Sequence, residues 1–85
     1  MKKINLTNLQ ARPDLFAEPK AYNAAKDLGN LIHFNAQDID VMRFGDRLFD
    51  AEGEIEVTDQ ELEIIRRHVP MLKAWAQLPI LEILK

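Results

Sequence analysis

Nucleophilic catalysis needs a hydroxyl or thiol beside a base, and this 85-residue chain contains neither serine nor cysteine. Of the usual hydrolase nucleophiles only Thr7 and Thr58 remain. Thr58 opens Thr58-Asp59-Gln60-Glu61, a capping box in which its hydroxyl is committed to starting a helix. The two histidines, His33 and His68, stand too far apart in sequence for a metal-ligand or nucleophile-base spacing, which leaves them helix-end or surface roles. Glu52, Glu54 and Glu56 could in principle work as acid and base. On a short strand, however, Glu54 and Glu56 share one solvent face, and Glu52 falls in the preceding turn. A chain of this length can hardly spare the few hundred Å3 of interior that a substrate pocket takes. The residue types therefore point to a non-enzymatic protein without a cofactor.

Two constellations still carry possible ligand chemistry. The run from Phe49 to Leu62 resembles the calcium loop of the EF-hand family across twelve residues. That resemblance puts Asp50 at the first loop position, Glu52 and Glu54 at the third and fifth, Val57 at the eighth and Glu61 at the twelfth, and it implies oxygen coordination of calcium. The sixth position, where the loop needs glycine for a positive φ, is Ile55, and no second loop exists to pair with this one. The alternative function is accordingly a degenerate EF-hand-like module over Asp50 to Glu61, and the capping box with an adjoining strand accounts for the same residues without a cation.

The second constellation, Ala24 to Leu48, has the alanine pair and glycine of a helix-turn-helix and gives a further alternative, a DNA-binding regulator. Its would-be recognition helix carries Asp38, Asp40 and Asp46 beside two arginines, the wrong sign for a groove lined with phosphates. Net charge is −3 overall, and the Asp38 to Glu63 stretch holds ten acidic residues against Arg43 and Arg47. Such a balance argues against a nucleic-acid partner.

The elements that must position these residues read as a mainly α small domain, residues 1-85, of three to five helices with a short two-stranded β-ribbon. Ile4 and Leu6 alternate with Lys3 and Asn5 as in a half-buried strand, and Glu54-Ile55-Glu56-Val57 is its natural partner. Thr7 to Pro19 reads as irregular, with Leu15 and Phe16 expected to pin the loop onto the core. From Lys20 the apolar positions Ala21, Ala24, Ala25, Leu28, Leu31 and Ile32 recur at helical spacing, with Pro19 in the first turn and Asn35 as a stop. Asp38 can cap a second helix that turns Val41, Met42, Phe44, Leu48 and Phe49 inward. The helix started by Thr58 carries Leu62, Ile65 and Val69 inward and must stop or kink at Pro70. Two helical pieces, Met71 to Leu78 and Ile80 to Leu84, follow.

The last seventeen residues are nearly all apolar, charged only at Lys73, Glu82 and Lys85. A chain end normally frays into water, so this one must be buried in its own core or against another chain. In Ile80 to Leu84 the aliphatic residues lie on all sides of a helical wheel, so part of the block should emerge on the surface. Met71, Leu72, Trp75, Leu78, Ile80, Leu81 and Leu84 are therefore the expected partner-binding residues.

No apolar stretch reaches the roughly 18 residues of a membrane span, and the Lys2-Lys3 start lacks the long apolar run of a signal peptide. With no cysteine, the expectation is a soluble cytoplasmic protein. The run Leu28-Gly29-Asn30-Leu31-Ile32, followed by Gly53-Glu54-Ile55-Glu56-Val57 and a capped helix, resembles small uncharacterised proteins of bacterial prophage clusters. That resemblance covers roughly half of the chain and implies a phage-encoded accessory or assembly protein, with no catalytic position. The functional expectation is thus protein-protein interaction, by self-association or partner binding through the apolar C-terminal segment.

Overall fold

A computed structural model describes residues 2–12, 14–16 and 18–84. Strand β1 (Lys2–Asn5) pairs antiparallel with β4 (Glu54–Val57), in the register Lys2↔Val57 to Asn5↔Glu54. The alternation read from the sequence appears directly in burial: Ile4 and Val57 are buried, while Lys3, Asn5, Glu54 and Glu56 face water. Gly53 makes the turn into β4 with φ +128°, a conformation L side chains rarely adopt.

A second ribbon, in a stretch whose sequence pattern suggests irregular chain and the start of a helix, joins β2 (Leu9–Ala11) to β3 (Lys20–Tyr22). The expected helix therefore starts later than Lys20, because Lys20, Ala21 and Tyr22 pair with Ala11, Gln10 and Leu9. Asn23 then caps α1 (Ala24–Asn35), its side chain accepting from the Lys26 N–H at 3.3 Å. Leu15 and Phe16, expected to anchor the intervening loop, are 82% and 101% exposed. Asp14 closes a local turn with the Phe16 N–H instead.

Helix α2 (Ile39–Phe49) begins at the expected cap, where Asp38 accepts from the Val41 N–H at 2.9 Å. Helices α1 and α2 form a hairpin packed nearly backbone to backbone. A Cβ on Gly29 would lie 2.6–2.8 Å from the Phe49 and Gly45 backbone, and one on Gly45 would lie 2.8 Å from the His33 nitrogen. Ala24, Ala25, Leu28, Ile32, Phe44 and Leu48 fill the core around that contact. Phe49, expected inward, turns outward at the end of α2, where the Lys26 ammonium sits 4.3 Å from its ring centroid.

Helix α3 (Asp59–His68) carries the full capping box, with Thr58 Oγ1 accepting from the Glu61 N–H at 3.1 Å and Glu61 Oε1 from the Thr58 N–H at 2.8 Å. Leu62, Ile65 and Val69 are buried as expected. A 3₁₀ turn, Val69–Met71, ends the helix at Pro70. Helix α4 (Ala74–Leu84) then runs unbroken through Pro79, where two pieces were expected. Proline removes one helical hydrogen bond and costs roughly 3 kcal/mol in a helix interior. Burial of Ala76 on one side of it and of Ile80 and Leu84 on the other offsets that loss. The helix start is secured by the Lys73 carbonyl, which accepts from Ala76 and Gln77, and by Gln77 Nε2 donating to the Leu72 carbonyl at 2.7 Å.

Candidate interaction surface

The apolar tail divides cleanly between inside and outside. Ile80 and Leu84 belong to the hydrophobic core with Ile65 and Val69, so these two expected partner-binding residues are not accessible to a partner. Met71, Leu78 and Leu81 are 58%, 69% and 46% exposed. Leu72 and Trp75 are partly buried. Within α4 only Gln77 and Glu82 are polar. Its buried side is Ala76, Ile80 and Leu84; its exposed side carries Ala74, Leu78 and Leu81, spaced four and three residues apart, with the exposed Glu82 at their edge. At helical pitch the two stripes lie roughly 130° apart around the axis. A helix apolar on two separate faces belongs in an interior, yet one face of this one meets solvent.

Trp75 bridges the two faces. Its ring packs edge-on against Tyr22 of β3, centroids 5.5 Å apart, and the Tyr22 hydroxyl donates to Asp27 Oδ2 at 2.6 Å. Burial, then the hydrogen bond to Asp27 and that carboxylate's charge, hold the Tyr22 proton well above the usual phenol range. Beside Trp75, α4 and β2 border a groove of about 400 Å3 lined by Gln10, Arg12, Trp75, Leu78, Pro79 and Glu82.

A larger open cleft of about 800 Å3 lies between the first turns of α2 and α3. Val41, Phe44 and Ile64 give it an apolar lining, Ile39 stands at 62% exposure, and Asp38, Asp40, Thr58, Gln60 and Glu61 complete it. All of its charged lining residues are acidic. Glu61 is offset by Arg47, whose Nη2 donates to Oε2 at 2.7 Å, and Asp38 is turned to its cap. Sequence reasoning missed this cleft. Its apolar residues come from two helices: Val41 and Phe44 are expected in the core, and the pattern of α3, which turns Leu62, Ile65 and Val69 inward, assigns no place to Ile64.

The calcium-like loop is folded to other ends. Glu61 uses one oxygen on Thr58 and the other on Arg47, and Ile55 lies in β4 with ordinary strand pairing to Ile4. Among the described residues no three His, Cys, Asp or Glu side chains gather as a metal site. His33 Nδ1 meets Asp46 Oδ1 at 2.5 Å across the α1–α2 hairpin, and His68 Nδ1 meets the Ile64 carbonyl at 2.8 Å, so the histidines stay apart in helix-end positions. No helix among the described residues is long and apolar enough to cross a membrane. Compared with known proteins, the chain matches no family model, no curated protein and no solved structure.

Proposed function

We propose that this protein acts without catalysis, through protein contacts, and that it self-associates by means of the outer face of α4. The observation that carries this reading is the second apolar stripe, Ala74, Leu78 and Leu81, on a helix whose first stripe already fills the core. A leucine fully removed from water is worth about 1.5–3 kcal/mol, so leaving two partly in solvent sacrifices stability that a second chain can recover. The partner we assign is another copy, since a four-then-three spacing of small and large apolar residues is the seam by which helices pack on one another. An accessory or assembly role, of the kind the prophage resemblance implies, is the setting we propose for it.

Light scattering across a concentration series tests the reading. The wild-type chain should exceed monomer mass, and Leu78→Glu should return it to monomer with little change in melting temperature, because Leu78 is 69% exposed. A wild-type monomer at every concentration refutes it.

A further inference from the structure

The α4 face needs a receiving surface, and the chain carries one that its own α4 does not occupy: α4 packs on β2 and the 3₁₀ turn, and no α4 residue lines the α2–α3 cleft. We propose that this cleft receives the outer face of α4 from a second copy of the chain; the proposal rests on the self-association reading and names the surface involved.

Three observations support it. At about 800 Å3 the cleft has room for several side chains, and a groove between two helices with apolar walls is the usual seat of an amphipathic helix. Leu78 and Leu81 supply adjacent anchors for such a groove, and Val41, Phe44 and Ile64 supply its lining. The charges also match. Asp40 lines the cleft with no side-chain partner among the described residues, and Lys73, exposed just before α4, has none there either. Because face and cleft are different surfaces, two copies close into a dimer if they exchange contacts reciprocally and extend head to tail if they do not.

The test uses the full chain with one substitution on each surface, Leu78→Glu on the face and Ile39→Glu at the cleft, both at exposed positions. Circular dichroism checks that both variants fold. Each alone should weaken association at least tenfold in sedimentation equilibrium. An equimolar mixture should recover association, since the first retains an intact cleft and the second an intact face. If Ile39→Glu associates like wild type while Leu78→Glu does not, the cleft proposal is overturned and self-association through α4 stands. If Leu78→Glu associates like wild type, the self-association reading itself falls. Asp40→Lys serves as the second cleft variant should Ile39→Glu fold poorly: weakened association that Lys73→Glu in the same chain restores supports the pairing, and unchanged association overturns it.

Discussion

Adding one methyl group at Gly29 should unsettle the whole domain. In an exposed helix a glycine-to-alanine change stabilises by roughly 1 kcal/mol, because alanine loses less backbone freedom on folding. At Gly29 the new Cβ would stand 2.6 Å from the Phe49 nitrogen, 2.7 Å from the Gly45 carbonyl oxygen and 2.8 Å from the Phe49 Cα. All three atoms are backbone, so no side chain can swing aside. Ordinary contact requires the helices to part by about 0.8 Å, and a gap of that size forfeits a quarter to a half of the dispersion attraction across an interface. Overpacking of this kind costs about 1–3 kcal/mol, and three backbone clashes place Gly29→Ala at the upper end. After the propensity gain, the net loss is about 2 kcal/mol, or a fall in melting temperature of about 8–16 °C for a domain this small.

Gly45→Ala intrudes less, meeting its nearest atoms at 2.8–3.0 Å, and should cost about half as much. The double variant should lose less than the sum, since helices already parted by the first methyl accommodate the second. Asn30→Ala, exposed on the same helix, is the control and should be neutral or slightly stabilising. Thermal unfolding followed by circular dichroism reads all four. A Gly29→Ala protein that melts at or above the wild-type temperature would refute the backbone-to-backbone packing of α1 on α2.

Thr58→Ala removes the hydroxyl that accepts from Glu61 and should cost about 1 kcal/mol in urea unfolding, whereas a change within error would show the capping box to be idle. Since Tyr22 holds its proton above the unfolded value of about 10, folding stability should be intact below that pH and decline above it, as the unfolded chain loses a proton that the folded one retains. Tyr22→Phe should flatten that alkaline slope, and an unchanged slope would deny the shift. Millimolar calcium should leave the melting temperature where it is, because Glu61 is spent on Thr58 and Arg47. A rise on adding calcium that Glu61→Gln abolishes would restore the metal reading.

The parts of the fold that could be read in advance were those with local chemical signals. Asp38 and Thr58 announce their helices through side-chain oxygens that reach backbone N–H groups three residues on. The β1–β4 ribbon was legible because Ile4 and Val57 alternate with charged or polar neighbours. By contrast, β2 and β3 are three residues each, too short for a period to declare itself, and Ala21 fits a helical stripe as well as a strand. Pro79 misled for a different reason: the rule that proline breaks a helix is local, while the burial of Ile80 and Leu84 that overrides it is tertiary. The candidate surface was half visible. An excess of apolar residues after Val69 was plain, but which of them face outward depends on the phase of a single helix, and that phase is set by the core they meet. The α2–α3 cleft left no trace at all, since it is the space between two helices that each look ordinary.

The pairing of β1 with β4 also dictates an order of events. Lys2 must find Val57, so nearly two thirds of the polypeptide is looped out before that ladder can form. The α1–α2 hairpin closes over a short connection, Ala36 to Asp38, and brings the flanking segments toward each other. The helical pair should therefore assemble early and the ribbon zip late, with Ile4→Val accelerating unfolding while leaving the refolding rate nearly untouched.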